Sequence, residues 1–382
     1  MNYSELSLKL HREKRGKLEI ASTVPLQTSD DLATAYTPGV AAVCLAIAAD
    51  KSLARELTIK GRFVAVVTDG SAVLGLGNIG PEAGMPVMEG KAILFKRFAG
   101  LDAFPICLAT QDTEEIIATI KNIAPGFGAI HLEDIAAPKC FEIEKRLAAE
   151  LDIPVMHDDQ HGTAVVVLAG VLNALRVVDK SIETAKIVIS GVGAAGVASA
   201  RLLLEAGAKN VAMCDSKGMI AVGREGMNAQ KDELAARINA DGRRGSLGDA
   251  LVGADVFLGV SAPGIVSEEM VRSMAEDAIV FAMANPVPEV TPEIAKAGGA
   301  AVIATGRSDY PNQVNNVLAY PGLFLGALEG NIPTFTTAMF LAAARALAAT
   351  VETPTADRIL PSLLDVDSAR VVAEAVKGAS LE

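Results

Sequence analysis

The stretch Ile187-Val-Ile-Ser-Gly-Val-Gly-Ala-Ala-Gly196 decides the fold of this 382-residue chain. Its first four residues are typical of a buried strand, and glycines then follow with the spacing G-x-G-x-x-G. In this pattern the first glycine permits a tight turn, the second leaves room for a pyrophosphate at a helix N-terminus, and the third allows close packing of helix and sheet. The predicted dinucleotide loop comprises Gly191, Val192, Gly193, Ala194, Ala195 and Gly196.

The acidic residue Asp215 ends the next strand-like run, NVAMCD. A carboxylate at this position can accept hydrogen bonds from the adenosine ribose, which favours NAD. Ser216, Lys217 and Arg224 could instead neutralise the 2′-phosphate of NADP if Asp215 turns aside. The predicted cofactor is therefore NAD or NADP, and the sequence leaves the choice open.

Runs of β-branched residues alternate with helical segments along the chain. RFVAVV, AFPICL, AIHL and IPVM precede an apolar helix predicted over residues 162–179, and AKIVIS, NVAMCD, ADVFLGV, AIVFAMA and AAVIAT follow it. This alternation predicts an α/β fold with two domains. Residues 1–160 would form an N-terminal α/β domain, and residues 161–382 a Rossmann-like domain with a doubly wound parallel sheet that binds the dinucleotide. The C-terminal helices could pack on either domain.

Composition and charge exclude several classes of function. The formal net charge is −12 and no basic run occurs outside His11 to Arg15, so nucleic acid is not expected as a partner. The longest apolar stretch, residues 164–178, contains Asn173 and Arg176 and is shorter than the ~20 residues of a membrane span, so no membrane partner is expected. Charges near the N-terminus argue against a secretory signal, and we predict a cytoplasmic protein.

Two acidic pairs each follow a strand-like run ahead of the dinucleotide loop. Glu133 and Asp134 lie in AIHLEDIAAPK, and Asp158 and Asp159 lie in IPVMHDDQHGT. Helix capping is one interpretation of Asp134 and of Asp159. Together, however, Glu133, Asp134 and Asp159 would place three carboxylates at neighbouring strand ends, where like charges repel unless a cation compensates. All-oxygen ligation predicts Mg²⁺ or Mn²⁺, with positions left for a hydroxy acid or keto acid.

A zinc site is the competing interpretation of this region. His157 and His161 are four residues apart, as in the H-E-x-x-H pattern of zinc hydrolases. That pattern needs both imidazoles on one helix face, whereas His157 follows a strand-like run and the helix is predicted to begin after His161. These histidines and His131 are therefore predicted to support the site or to pack in the core. The four widely spaced cysteines form no C-x-x-C pair and are predicted to be buried, reduced thiols.

Lys91 stands out among the basic residues. Helical periodicity in MPVMEGKAILFKRFAG places it on the apolar face with Leu94, Phe95 and Phe98. Burial disfavours an ammonium ion, so the pKa of Lys91 is predicted to move toward neutrality, where the amine could exchange protons with a substrate. The alternative is a lysine at the helix edge that extends to solvent.

Two further side chains are candidates for a ligand-binding cleft. Tyr36 precedes a Pro-Gly turn and an apolar helix, so its phenol could line a cleft, although packing is the more common role of a tyrosine. Asn285 follows AIVFAMA at a predicted strand end, where its amide could donate to a substrate carboxylate. The loops beginning at Ser261 and Gly306 follow neighbouring strands in the same way and are expected to open onto the same crevice.

These motifs together resemble malic enzyme in its compact bacterial and archaeal form. The matching stretches occur in the family's order over most of the chain: AYTPGVA, VVTDGSAVLGLGNIGPEAGMPVMEGKAILFKRFAGLDAFPI, LEDIAAPKCFEIE, PVMHDDQHGTA, GVGAAG, ANPVPEV and TGRSDYPNQVNNVLAYPG. The resemblance implies oxidative decarboxylation of malate to pyruvate and CO₂ with reduction of NAD or NADP. It further implies dependence on Mg²⁺ or Mn²⁺, decarboxylation of oxaloacetate, and a homodimer.

The resemblance also implies a role for each candidate residue, and it makes the N-terminal domain the catalytic one. The implied roles are general acid for Tyr36, general base for Lys91, metal ligands for Glu133, Asp134 and Asp159, malate and nicotinamide contacts for Asn285 and Asn315, and dinucleotide contacts for Gly191 to Gly196 and Asp215. Asp158 is then a neighbour of the ligands, although spacing alone does not choose between Asp158 and Asp159.

One departure from the larger eukaryotic malic enzymes concerns the substrate carboxylate. Those enzymes have an arginine after TDG, where this chain has Ser71 and Ala72, so Ser71, loop amides or Arg307 must take that role. Alternative functions are a malolactic enzyme, which retains its NAD and releases lactate, and a malate dehydrogenase that releases oxaloacetate. A non-catalytic dinucleotide-binding protein would need neither Lys91 nor the acidic residues.

Overall fold

The N-terminal segment is helical and lies outside the two β-sheets. The computed structural model describes residues 3–364 and 367–381, and the first helices are α1 (Tyr3–Lys14), α2 (Ser29–Ala35), α3 (Val40–Ala49) and α4 (Ala54–Leu57). Helices α1, α2 and α3 bury no side chain. Residues 29–49 are long and apolar enough to cross a membrane by length and composition alone, and none of this stretch is buried. The longest apolar stretch predicted from the sequence, residues 164–178, lies almost entirely in the mostly buried helix α8 (His161–Val177).

The first sheet has four parallel strands in the order β2-β1-β3-β4. They are β1 (Phe63–Thr68), β2 (Asp102–Cys107), β3 (Ala129–Leu132) and β4 (Val155–His157), and the connecting helices are α5 (Pro81–Ala99), α6 (Thr113–Ile123) and α7 (Lys139–Glu150). Strands β1, β3 and β4 are buried along nearly their whole length, as expected for parallel strands covered by helices. Their carboxyl ends share one edge, where Glu133 N donates to Val67 O and Asp158 N donates to Leu132 O.

The second sheet has six strands in the order β10-β9-β8-β5-β6-β7. Its strands are β5 (Lys186–Ser190), β6 (Asn210–Asp215), β7 (Gly218–Met219), β8 (Val256–Gly259), β9 (Ile279–Ala282) and β10 (Val302–Thr305). Only β7 is antiparallel to its neighbour. The chain moves outward from β5 to β6 and then returns to β8 on the other side of β5, so the ligand crevice of this doubly wound sheet is expected beyond β5 and β8. The predicted α/β fold with a Rossmann-like sheet is confirmed.

Helices surround the second sheet and extend to the C-terminus. They are α8 (His161–Val177), α9 (Ala194–Glu205), α10 (Ala229–Ile238), α11 (Leu247–Leu251), α12 (Glu268–Arg272), α13 (Pro292–Ala297), α14 (Tyr320–Glu329), α15 (Thr337–Ala349) and α16 (Ser368–Ala379). Helix α14 contacts α5 of the first sheet, whereas α15 contacts α8 and α9. The C-terminal helices therefore pack on both halves of the chain.

The two halves share one continuous hydrophobic core. The core includes Val64 of β1, Val166 of α8 and Leu347 of α15. Helix α16 approaches α14 closely, because a Cβ on Gly322 would lie 2.5 Å from Ala369 O. Since buried side chains connect both sheets, a domain boundary at residue 160 stays a prediction.

Candidate active site

Lys91 lies on the buried face of α5 and points to the carboxyl edge of the first sheet. Its Nζ atom is 2.5 Å from Asp158 Oδ2 and 3.1 Å from Glu133 Oε1. The ring of Tyr320 faces the same ammonium group, with 4.6 Å between Nζ and the ring centroid. Lys91 is only 8% exposed, so it is buried as its periodicity predicted and does not extend to solvent.

The pKa of Lys91 shifts in the direction opposite to the one predicted. Burial lowers it, but the carboxylates of Asp158 and Glu133 raise it by more, so the pKa lies well above its usual value. Burial raises the pKa of Glu133, Lys91 opposes that rise, and the nearby aspartates add to it. The prediction took account of burial but lacked the partners, which come from the ends of β3 and β4.

Glu133, Asp134 and Asp159 are brought together as predicted oxygen donors. One carboxylate oxygen from each lies within 4.8 Å of the others. Asp159 Oδ2 also accepts a hydrogen bond from Asp134 N at 2.9 Å, which connects the ends of β3 and β4. Neither aspartate caps a helix, because the residues at the N-caps of α7 and α8 are Pro138 and Gln160. Three carboxylates this close fit a hard divalent cation such as Mg²⁺ or Mn²⁺.

A second group of potential ligands consists of His131, Glu133 and Asp158, and it is held by internal contacts. His131 Nε2 is 2.6 Å from Glu133 Oε2. Burial, together with the charges of Lys91 and His157, lowers the pKa of His131 well below its usual value, so its imidazole is neutral and donates to the carboxylate. Because Asp158 pairs with Lys91, this group supports the lysine and leaves the oxygen set of Glu133, Asp134 and Asp159 as the better cation site.

The zinc interpretation of His157 and His161 is not supported. His157 ends β4, whereas His161 is the first residue of α8. The ring of His161 stacks on Phe340 at a centroid distance of 4.5 Å, and its Nε2 lies 3.1 Å from Glu144 Oε2. The two imidazoles therefore do not share a helix face.

All four cysteines are free, but only two of them are buried. Cys140 and Cys214 lie in the core, and burial raises the pKa of each thiol to about 12. Cys107 is half-buried and Cys44 is exposed. The prediction of buried thiols was wrong for these two, because Cys44 lies on α3, which buries nothing.

Asp158, predicted only as a neighbour of the metal ligands, is the direct partner of Lys91. It is fully buried and binds Lys91, whereas Asp159 turns to Asp134. Successive side chains at the end of a strand point to opposite sides, so adjacent acids after β4 are expected to serve different partners. The sequence could therefore predict that Asp158 and Asp159 have different partners. It could not predict which of them faces Lys91, because that depends on the position of α5.

Tyr36 is not joined to Lys91 within the single chain. It lies just after α2 and is 66% exposed, and its phenol has no hydrogen bond with any residue that the structure describes. The tyrosine beside Lys91 is instead Tyr320, which is fully buried and was not identified from the sequence. Tyr320 packs edge-on against Phe95 with 4.8 Å between the ring centroids, so its ring is held against the lysine.

The predicted dinucleotide loop has the space and the backbone that a pyrophosphate requires. Gly191 has a φ of 114°, and a Cβ there would lie 2.4 Å from Val260 O. A Cβ on Gly196 would lie 2.0 Å from Gly191 O, so α9 packs closely on the turn. Gly193 precedes α9 with no side-chain cap and with open space around it. The free amides at the start of α9 therefore fit an anionic group.

Asp215 ends β6 as predicted, but cationic side chains occupy its carboxylate. Arg224 donates to both oxygens, with 2.8 Å from Nη1 to Oδ1, and Lys231 Nζ lies 2.7 Å from Oδ2. Burial raises the pKa of Asp215, but these hydrogen bonds lower it by more, so the net shift is downward. A cavity of about 430 Å³ beside them is lined by Lys217, Arg224 and Arg244, among other residues. The Asp215 carboxylate suits a ribose hydroxyl, and the basic side chains around it suit a 2′-phosphate.

Asn285 lies where the second sheet meets the segment that follows β1 of the first sheet. It is exposed near the start of the loop that follows β9, and a Cβ on Gly306 would lie 2.7 Å from its Nδ2. A Cβ on Gly75 would lie 1.7 Å from Asn285 O, so this loop touches the segment that follows β1. The amide of Asn285 is thus presented at the junction between the two sheets.

Asn315 belongs to a segment that lies next to the acidic edge of the first sheet. Its Oδ1 accepts a hydrogen bond from Val317 N at 3.0 Å. A Cβ on Gly162 would lie 1.8 Å from Asp158 Oδ1 and 3.4 Å from Asn316 Cβ. Through this contact the second half of the chain approaches the residues around Lys91.

Two of the candidates for binding a substrate carboxylate already have partners. The Ser71 hydroxyl donates to Asp69 Oδ1 at 2.6 Å and accepts from Ala136 N at 2.9 Å, and Ser71 is buried. Arg307 forms a two-bond pair with Asp309, at 2.8 Å and 2.6 Å. Loop amides and the asparagines are therefore the better candidates among the residues described.

Two protein-family sequence models together match most of the chain. The model for "Malic enzyme, N-terminal domain" matches residues 15–148, and the model for "Malic enzyme, NAD binding domain" matches residues 160–380. The first match contains Lys91, Glu133 and Asp134, and the second contains the dinucleotide loop, whereas Asp158 and Asp159 lie between the two matches.

Similar proteins of known name and structure agree with these models. The chain is 57% identical over 363 residues to the NAD-dependent malic enzyme of Geobacillus stearothermophilus, covering 94% of this chain and 76% of that protein. It is 53% identical over 385 residues to the bifunctional malic/malolactic enzyme of Bacillus subtilis (strain 168), covering 100% and 94%. The crystal structure of the NAD-dependent malic enzyme from Thermotoga maritima superimposes with a TM-score of 0.93 at 48% identity, covering 97% of this chain and 99% of that one.

Proposed function

The chain belongs to the malic enzyme family, and we propose that it converts malate to pyruvate and CO₂ with reduction of a nicotinamide dinucleotide. The observation that supports this most directly is the position of Lys91. Its buried amine lies between Asp158 and Glu133, next to a set of three carboxylates. An acid–base group beside an all-oxygen cation site is what oxidation and decarboxylation of a hydroxy acid require.

A divalent cation and a nicotinamide dinucleotide, both bound from solution, would complete the site. Glu133, Asp134 and Asp159 would hold Mg²⁺ or Mn²⁺, and the loop from Gly191 to Gly196 would hold NAD or NADP. When bound, the dinucleotide supplies a hydride acceptor for C2 of malate, and the cation supplies a Lewis acid for charge that develops on the C2 oxygen.

The chain's own residues then move protons. In the chain alone, Asp158 and Glu133 hold Lys91 as an ammonium ion; with Glu133 engaged by a divalent cation, less negative charge would face the amine and its pKa would fall. Lys91 Nζ would then accept the proton of the C2 hydroxyl as C2 is oxidised, and Asp158, 2.5 Å away, would hold the amine in place. The bond from C3 to the carboxylate breaks and releases CO₂, which leaves enolpyruvate. Tyr36 donates a proton to C3, so pyruvate is the product. Asn285 and Asn315 would orient malate by hydrogen bonds to its carboxylates.

We further propose that the protein is a cytoplasmic homodimer in which Tyr36 reaches the active site of the partner subunit. Helices α1, α2 and α3 bury no side chain, and their exposed residues include Leu6, Leu32 and Leu45. Exposed apolar surface of this extent marks an interface. A second copy of the chain would cover this apolar surface. It would also bring an exposed Tyr36 to the buried Lys91, a contact that the single chain lacks.

A turnover assay tests the function. Purified protein with malate and Mn²⁺ is expected to reduce NAD or NADP and to produce one pyruvate for each dinucleotide reduced. Lactate without net dinucleotide reduction would instead identify a malolactic enzyme, for which the similarity to the bifunctional enzyme of Bacillus subtilis gives a reason. Oxaloacetate without CO₂ would identify a simple dehydrogenase, and NADH binding without turnover of malate would identify a non-catalytic protein.

A further inference from the structure

Glu289 is a buried carboxylate that joins two loops of the dinucleotide crevice. It is 0% exposed, its Oε1 accepts a hydrogen bond from Ser261 N at 2.7 Å, and its Oε2 accepts one from Ala284 N at 3.0 Å. Ser261 follows β8, and Ala284 follows β9 immediately before Asn285. Each oxygen of the carboxylate therefore holds the backbone of a different loop.

The surroundings of Glu289 are built to accept it. A Cβ on Gly259, the last residue of β8, would lie 2.4 Å from Glu289 Cδ, so only a glycine leaves room for the carboxylate. Backbone hydrogen bonds from Gly264 N to Pro288 O and from Val266 N to Glu289 O connect the same two loops. The hydroxyl groups of Ser261 and Ser190 lie 2.9 Å apart, which extends the connection to the strand that precedes the dinucleotide loop.

Folding stability alone does not account for a charged group at this place. Among the described residues Glu289 has no ion-pair partner, and burying an ionised carboxylate without one is costly. An apolar side chain would fill the same volume, but it would leave the N–H groups of Ser261 and Ala284 without this acceptor. What an apolar residue could not do is accept two backbone N–H groups from two loops at once.

We propose that Glu289 is a positioning residue for the malate reaction, and that it acts by fixing where the loop after β9 presents the side chain of Asn285. This inference rests on the proposed function, in which Asn285 orients malate. The carboxylate restrains the residue just before Asn285, and the carbonyl of Asn285 in turn contacts Gly75, in the segment that follows β1. Glu289 thereby sets the distance between the two sides of the substrate crevice.

Glu289→Gln tests the proposal, because glutamine can accept with only one of its two terminal atoms while its shape is nearly unchanged. We expect the KM for malate to rise by about tenfold or more, since a small misplacement of an orienting group is costly. The Kd for NADH, measured by fluorescence on the free enzyme, should change less than about threefold, because Gly191 to Gly196 follow β5 and Asp215 ends β6, away from the loop after β9. Glu293→Gln is the matched control, since it makes the same chemical change at an exposed position four residues away and should behave as the parent enzyme.

A double-mutant cycle separates positioning from a general structural role. If Glu289 acts through Asn285, then Glu289→Gln should add less than about threefold to the malate KM of an Asn285→Ala variant. Full multiplication of the two effects, an unchanged malate KM, or an equal loss of NADH affinity would overturn the proposal. If Glu289→Gln does not fold, Gly259→Ala provides the second test, because its methyl group would displace the carboxylate, and the same pattern is expected. A parent enzyme that does not turn over malate would instead refute the proposed function.

Discussion

Asp158→Asn and Asp159→Asn form a matched pair that assigns separate tasks to two adjacent acids. Each substitution removes one negative charge and keeps the shape of the side chain. Asp158 binds Lys91 at 2.5 Å, whereas Asp159 faces Asp134 and belongs to the oxygen set. We therefore expect Asp158→Asn to lower kcat with little change in the Mn²⁺ requirement, and Asp159→Asn to raise the Mn²⁺ concentration needed for half-maximal activity.

The size of the first effect follows from the contacts of Lys91. A hydrogen bond to a charged group contributes about 1.5–3 kcal/mol, which corresponds to a loss of roughly 10- to 150-fold in kcat if it is felt in the transition state. Glu133 remains 3.1 Å from Nζ, so Lys91 keeps one carboxylate partner, and the lower half of this range is expected. For Asp159→Asn we expect the half-saturating Mn²⁺ concentration to rise by roughly tenfold or more, because one of three anionic donors is lost.

The measurement is a Mn²⁺ titration of malate-dependent dinucleotide reduction for both variants at saturating substrates. Thermal unfolding of each variant serves as the control for folding, because loss of a partner for a buried charge also destabilises the protein. The assignment would be refuted if Asp158→Asn shifted the Mn²⁺ dependence while Asp159→Asn left it unchanged.

Three further predictions test other parts of the site. Lys91→Ala should abolish turnover and leave the Kd for NADH within about threefold, because the dinucleotide loop lies in the other sheet; unchanged turnover would refute its role as the base. Equal amounts of the inactive Tyr36→Phe and Lys91→Ala proteins, mixed so that subunits exchange, should recover roughly one quarter of the parent activity. Half of the dimers would then be hybrids, and each hybrid would have one intact site of two. No recovery of activity would place Tyr36 and Lys91 in the same subunit. Arg224→Ala should lower the NADP to NAD ratio of kcat/KM by about tenfold, because the Asp215 carboxylate keeps only Lys231 as a cationic partner and repels a 2′-phosphate more strongly. An unchanged ratio would contradict this role.

Local patterns were sufficient for the parts of the fold that depend on nearby residues. The β-branched runs gave all of the long strands, and the glycine spacing gave the turn at Gly191, whose φ of 114° favours glycine. Helical periodicity gave the buried face of α5 with Lys91. In each of these cases the local structure is determined by residues within one or two turns of the chain.

The rest of the site depends on contacts between residues that are far apart in the chain. The pKa direction of Lys91 required Asp158, which is 67 residues away in sequence. Tyr320 could not be identified as a neighbour of Lys91 without knowing that α14 lies on α5. The prediction for Tyr36 stays untested because its exposed phenol has no partner in the part of the chain that is described.

The contact of α14 with α5 has a consequence for how the protein can be made. Lys91 is synthesised well before residue 320, whose ring faces it, and α16, which covers α14, follows later still in the sequence. The surroundings of the amine are therefore incomplete until the segment that contains α14 and α16 has been synthesised. A fragment that ends near residue 160 would expose the apolar face of α5, and we expect such a half-protein to aggregate rather than to bind malate.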